Sequence, residues 1–120
     1  MSGYRILLVD DDSDLRELVK ETLSFNTHEV HQASTPAEAI LLLESQPIDL
    51  VVLDLDLGAS EDGFAVCARI QELATPPKVI MVTGSSSSAD KERGRELGVI
   101  AHLTKPFRPL ELLELVRSLT

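Results

Sequence analysis

Short apolar runs alternate along this chain with stretches in which apolar residues recur at helical spacing. Arg5-Ile6-Leu7-Leu8-Val9, Leu50-Val51-Val52-Leu53 and Lys78-Val79-Ile80-Met81-Val82 are the runs, and Val99 to Leu103 is the last strand. Continuous Val, Leu and Ile without a polar alternate position predict strands buried on both faces of a sheet. Glu29 to Ala33 is a weaker, half-polar strand that belongs toward a sheet edge. Between these runs lie the helices. Ser13 offers an N-cap for a helix from near Asp14, along which Leu15, Leu18, Val19, Thr22 and Leu23 share one side until Asn26-Thr27-His28 break the pattern. Thr35-Pro36-Ala37-Glu38 combines a capping Thr, a first-turn Pro and a Glu three residues on, opening a helix from Ala37 to near Ser45 that Pro47 ends.

Gly58 to Gly63 reads as a loop, with a third helix expected from Phe64 to Ala74 before Pro76-Pro77. A charged fourth helix, Ala89 to Leu97, is stopped by Gly98. The fifth, Pro109 to Leu119, keeps Leu112 or Leu113, Val116 and Leu119 on one face. Strand and helix therefore alternate five times. That order demands an α/β fold: a doubly wound parallel sheet with helices on both faces and right-handed crossovers, in a single domain over residues 1–120.

Composition narrows the field only slightly. The chain has 120 residues, 43% of them hydrophobic, enough for one real core. A net charge of −9 argues against direct nucleic-acid binding, which needs clustered Lys and Arg. Cys67 is the only cysteine, so no internal disulfide forms, which suits a reducing, cytoplasmic setting. Met1 to Arg5 lead into only four apolar residues before acid, so no signal peptide is expected. No stretch approaches the roughly 20 apolar residues of a membrane span.

The chemistry sits where strands end. Asp10-Asp11 follow the first run, Asp54 the third, Thr83 the fourth, and Lys105 closes the fifth. In a parallel sheet these ends line one rim, so residues distant in sequence converge where open α/β sheets bind ligands. An aspartate at the end of a buried strand is costly unless a cation or hydrogen-bond donors compensate it. Carboxylates gathered so closely repel one another unless a hard divalent ion neutralises them, and Mg²⁺, with its preference for oxygen donors and retained water, suits the set. A carboxylate nucleophile beside Mg²⁺, with Lys and Thr to hold phosphoryl oxygens, is equipped for phosphoryl transfer onto Asp54.

Taken one at a time, these residues have plainer readings. Asp10 to Asp12 could be a solvated helix start, since acids favour helix N-termini. Thr83 could be a strand-end residue, Lys105-Pro106 a turn (with Pro106 cis), His102 a half-buried residue, and Cys67 a small core residue. Asp12 fits the plain reading best. His28 and His31 lack ligand spacing and receive no role.

In combination the residues point further. Asp10-Asp11, Asp54 in Val51-Val52-Leu53-Asp54, Asp62-Gly63, Thr83-Gly84 and Lys105-Pro106-Phe107 occur in order at the strand ends. With them the chain resembles the receiver domain of the two-component response regulators over nearly its whole length. The resemblance implies a flavodoxin-like sheet with strand order 2-1-3-4-5 and five helices. It implies a phosphorylation-dependent signalling switch in which Asp54 accepts a phosphoryl group from a phosphohistidine on a sensor histidine kinase or phosphotransfer protein. Such a chain assists its own phosphorylation and dephosphorylation and is not a turnover enzyme. Mg²⁺ (or Mn²⁺) would be held by Asp10, Asp11, Asp54 and the backbone carbonyl of Asp56. Thr83, Gly84 and Lys105 would contact the phosphoryl oxygens. Thr83 and His102 would pass the change to the face of the fourth helix, fifth strand and fifth helix, where a second copy could also dock. The resemblance also implies an output domain or effector, fused or separate, that reads this face.

The chain departs from the family pattern at named places. His102 stands where an aromatic switch residue is usual, which would make the output sensitive to pH. Gly58 replaces a common proline, Asp62-Gly63 falls one residue late, and Asp56 adds an acid beside the site. Asp56 and Ser85 occupy positions that tune how fast the phosphoryl group is lost. Two rival classes remain. Asp54-Leu55-Asp56 resembles the DxD of haloacid-dehalogenase-type phosphatases, although there the motif follows the first strand of a larger domain. A pseudo-receiver, an interaction module without phosphorylation, is the other, and the intact Asp11, Asp54, Thr83 and Lys105 set disfavours it.

Overall fold

The computed structural model describes residues 3–57, 60–84 and 88–119. Five strands and five helices alternate: β1 (Arg5–Val9), α1 (Ser13–Phe25), β2 (Glu29–Ala33), α2 (Pro36–Ser45), β3 (Leu50–Asp54), α3 (Ser60–Gln71), β4 (Lys78–Thr83), α4 (Ser88–Glu96), β5 (Val99–Thr104) and α5 (Pro109–Ser118). All neighbouring strands pair in parallel, in the order β2-β1-β3-β4-β5. This is the doubly wound sheet that the alternating pattern requires, with the half-polar β2 at one edge.

The apolar runs earn their burial from both sides. Leu7, Val9, Val51, Leu53, Val79 and Met81 pack toward α2 and α3, against Ala39, Leu43, Phe64, Cys67 and Ile70. Their strand neighbours Ile6, Leu8, Leu50, Val52, Ile80 and Val82 pack toward α1 and α5, against Val19, Leu23, Leu112, Leu113 and Val116. The period-two alternation of side chains across a strand makes one run serve two cores. α4 joins the first face by a close approach: a Cβ on Gly94 would stand 3.2 Å from Cε of Met81. A register shift opposite Val79 and Ile80 aligns Val79 with Val99 but Ile80 with Ala101. Met81 and His102 are then partners.

Helices α1 and α3 differ from the sequence reading at their ends. The cap of α1 is Asp12, whose Oδ1 accepts the amides of Asp14 (3.0 Å) and Leu15 (3.2 Å), and Ser13 is the first helical residue. Asp and Ser cap about equally well, and here the Asp12 carboxyl takes the orphan amides of the first turn. α3 begins at Ser60, so Gly63 is helical and not in a loop, and the helix ends at Gln71, short of Ala74. Gly98 stops the helix before it with φ +89°, a backbone conformation open to glycine. The Lys105–Pro106 peptide is cis.

Candidate functional site

The buried acids of the fold lie together at the carboxyl ends of β1 and β3. Asp10 is 3% exposed and Asp54 1%. Each is tied down locally. The Asp10 amide donates to the Ala33 carbonyl (3.1 Å), and its Oδ1 accepts the Asp12 amide (2.9 Å). Asp54 Oδ1 accepts the Asp56 amide (2.9 Å). Each thus has one oxygen held by the turn that follows and the other turned to the rim.

Lys105 supplies the cation. Its Nζ donates to Asp54 Oδ2 at 2.9 Å and lies 3.4 Å from Asp10 Oδ2. The strand brings it there: β5 runs parallel to β4, and the Lys105 amide donates to the Thr83 carbonyl (2.8 Å). Thr83 itself, at the end of β4, is 2% exposed. Its neighbour Gly84 donates its amide to Oδ2 of Asp56 at 2.8 Å, which links the turn after β3 to the turn after β4.

Electrostatics follow burial. Burial pushes the Asp54 carboxyl above the usual carboxylate value, and the charge of Asp10 adds to the rise. Hydrogen bonds from Lys105 and the Asp56 amide oppose it without cancelling it. For Lys105 burial is the largest single effect and disfavours the ammonium, but Asp54 and Asp10 together outweigh it and the pKa is raised.

Asp10, Asp11 and Asp54 each offer a carboxylate oxygen, and these oxygens lie within 4.8 Å of one another. Asp10 and Asp54 are buried and Asp11 is exposed. Such a set fits a hard divalent cation: oxygen donors only, at short range, open to solvent on one side so that an ion keeps several waters. It fits a soft or tetrahedral metal poorly, because no His or Cys joins it.

The structure thus brings together Asp10, Asp11, Asp54, Lys105, Thr83, Gly84 and Asp56 from four strand ends. His102 stands apart, half-buried on β5, and its Nε2 is buried with no hydrogen-bond partner among the described residues. Burial first, then the charges of Lys91 and Arg95, lower its pKa from 6.5. The imidazole is therefore neutral at neutral pH, and any pH response is displaced into acid. Ser85 and Gly58 lie outside the described residues, as does the side chain of Asp62.

Sequence reasoning missed one contact at this rim and one at the opposite, amino end of β1. Arg16 donates from Nη1 to the Asp10 carbonyl (2.7 Å) and from Nε to Gln32 Oε1 (3.1 Å). His28 accepts the Tyr4 amide at Nδ1 (3.0 Å). Neither carries a spacing signal, since an Arg in a charged helix and a His in a turn read as surface.

A five-stranded parallel sheet of this order, with buried acids and a lysine at its carboxyl rim, defines the class of flavodoxin-like α/β domains with an acidic rim site. The comparisons narrow the class to a family. Residues 6–117 match the family model described as response regulator receiver domain. The chain is 36% identical over 114 residues to the regulatory protein VanR of Enterococcus faecium, covering 95% of this chain and 48% of that protein. It is 42% identical over 121 residues to the transcriptional regulatory protein GltR of Pseudomonas aeruginosa, covering 98% and 49%. The chain spans about half the length of these relatives. Among solved structures, the chemotaxis response regulator CheY4 of Vibrio cholerae superposes with a TM-score of 0.90 at 25% identity, covering 99% of this chain and 100% of that one. The chain belongs to the response regulator receiver domain family, and membership implies phosphorylation-dependent signalling. No helix among the described residues is long and apolar enough to cross a membrane.

Proposed function

We propose that residues 1–120 form one receiver domain and that Asp54 is its phosphoacceptor. The observation that carries this reading is the placement of a 1%-exposed carboxylate against the Lys105 ammonium at 2.9 Å, beside two further acids. An Asp54 oxygen attacks the phosphorus of a phosphohistidine on a sensor histidine kinase or phosphotransfer protein. The P–N bond breaks and its electron pair returns to the imidazole. No general base is needed, because a carboxylate is already a nucleophile. Lys105, Thr83 and the Gly84 amide hold the phosphoryl oxygens; positioning and charge neutralisation supply most of the catalysis.

Asp10, Asp11 and Asp54, with the backbone carbonyl of Asp56, would hold Mg²⁺ or Mn²⁺. When bound, the ion supplies the positive charge that lets three carboxylates and a phosphoryl group share one rim. Phosphorylation draws Thr83 and Gly84 inward. The Asp56–Gly84 hydrogen bond must then rearrange, which gives Asp56 a route to tune the lifetime of the phosphorylated state; Ser85 shares that role. His102 repositions and the α4-β5-α5 face changes shape, for an output domain, a separate effector or a second copy. The chain works in the cytoplasm, where its kinase delivers the phosphoryl group.

The phosphatase rival gains nothing from the geometry, because the DxD stands at the end of β3 and not of β1. Mass spectrometry after incubation with acetyl phosphate and Mg²⁺ tests the proposal. One phosphoryl group per chain is expected on the native protein and none on Asp54→Asn. An unmodified native chain, under conditions that label a known receiver, would sink the proposal. Comparison of amide spectra with and without beryllofluoride tests the face change, and an unaltered α4-β5-α5 face counts against it.

A further inference from the structure

Asp10 is anchored from three directions, and one anchor is a side chain that has no part in the acid cluster. Beyond its amide bond to Ala33 and the Asp12 amide on Oδ1, its carbonyl accepts Nη1 of Arg16 at 2.7 Å. The same guanidinium reaches across to β2, where Nε donates to Gln32 Oε1 at 3.1 Å. Arg16 is half-buried. It therefore staples the turn after β1 to the edge strand, from the second turn of α1. A planar fork suits this task, because two N–H groups with fixed relative direction bind two acceptors at once. A lysine at the same place offers a point charge with no such geometry.

The contact goes to the backbone of Asp10 and not to its carboxylate. That separates two effects of Arg16. As a charge near the rim it repels a cation and weakens metal binding. As a staple it fixes the backbone from which the Asp10 and Asp11 carboxylates project. The two effects have opposite signs.

We infer that Arg16 is a positioning residue for the acid cluster: by pinning the Asp10 carbonyl to β2 through Gln32, it holds Asp10 and Asp11 where they can share a divalent cation with Asp54. The inference rests on the reading of Asp10, Asp11 and Asp54 as cation donors.

Calorimetric titration of Mg²⁺ into the native chain, Arg16→Ala, Arg16→Lys and Gln32→Ala tests it, with circular-dichroism melts to establish that each variant is folded. Residues that orient metal ligands typically contribute about 10- to 100-fold to affinity. Arg16→Ala is expected to weaken Mg²⁺ binding by about tenfold, at the low end of that range. Arg16→Lys recovers only part of the loss, and Gln32→Ala shows a smaller loss of the same sign. In phosphoryl uptake the Mg²⁺ concentration for half-maximal labelling rises, while the rate at saturating Mg²⁺ returns to the native value. A folded Arg16→Ala that binds Mg²⁺ as tightly as the native chain, or more tightly, overturns the inference and leaves Asp54 as phosphoacceptor untouched. Should Arg16→Ala not fold, native affinity in Gln32→Ala overturns it instead. A native chain that binds no Mg²⁺ overturns the cluster reading and the inference with it.

Discussion

The ammonium of Lys105 donates a 2.9 Å hydrogen bond to Oδ2 of Asp54 across 51 positions of sequence, yet the carboxyl it contacts remains harder to ionise than a free aspartate. Burial is the reason: removing a carboxylate from water costs more than one partly exposed ammonium returns. Asp54 has a higher pKa folded than unfolded, so its ionised form costs stability. That cost is absent below the unfolded value near 3.8 and complete once pH has risen past the folded value. At neutral pH and without metal, Asp54→Asn should therefore melt above the native chain. A gain on the order of 1 kcal/mol would raise Tm by about 4 °C in a domain of this size. Thermal melts at pH 7 in a chelating buffer measure it, and a lower melting point for the variant would contradict the ordering of burial over ion pairing.

Divalent cation should reverse that cost. A ligand at a hundredfold its Kd stabilises a fold by about 2.7 kcal/mol. Saturating Mg²⁺ should raise the native melting point accordingly. Asp11→Asn should abolish most of the rise and leave the metal-free melt within about 0.5 kcal/mol of native, because Asp11 is exposed. Melts with and without Mg²⁺ on both proteins decide the point. An equal rise in both removes Asp11 from the donor set.

His28 makes the amino end of β1 sensitive to acid. Its Nδ1 accepts the Tyr4 amide at 3.0 Å, which only an unprotonated Nδ1 can do. Burial, then the charge of Arg117, lowers its pKa below 6.5. The folded value lies below the unfolded one, so the contribution of His28 is complete above pH 6.5 and is lost as pH falls through the folded value. Native protein should lose more stability between pH 7 and 5 than His28→Gln, followed by chemical denaturation at each pH. Parallel profiles would exclude the His28–Tyr4 contact as their source.

Cys67 should be inert while the chain is folded. It is fully buried on α3, and burial pushes its thiol up to about 11. Neither thiolate nor access is available at pH 8. Ellman's reagent should find no thiol in the native protein and one per chain in guanidinium chloride. Rapid labelling of native protein would mean that α3 opens locally.

Most of the architecture is legible in residue order because the physical demand is local. Leu50 to Leu53 cannot meet water on either side, and only a sheet with helices on both faces satisfies them. Thr35 was legible for the same reason: its Oγ1 accepts the Glu38 amide at 3.2 Å, within one helical turn. Gly63 was not. Glycine in a helix interior is unfavourable on propensity, so the stretch reads as loop. Its tertiary neighbour explains the exception, since a Cβ there would stand 2.9 Å from Cδ1 of Leu55.

The acids and the lysine were legible as strand-end residues, and parallel pairing alone carries them to one rim. What residue order could not supply is which groups hold the turns that bear them. Arg16 reaches Asp10 and Gln32, Asp56 reaches Gly84, and Tyr4 reaches His28, each through a bond to a backbone group or to another strand. Hydrophobic period and capping chemistry act within a few residues and so are written into the sequence itself. Hydrogen bonds between distant turns depend on where the finished sheet sets its strand ends, and only the folded chain decides that.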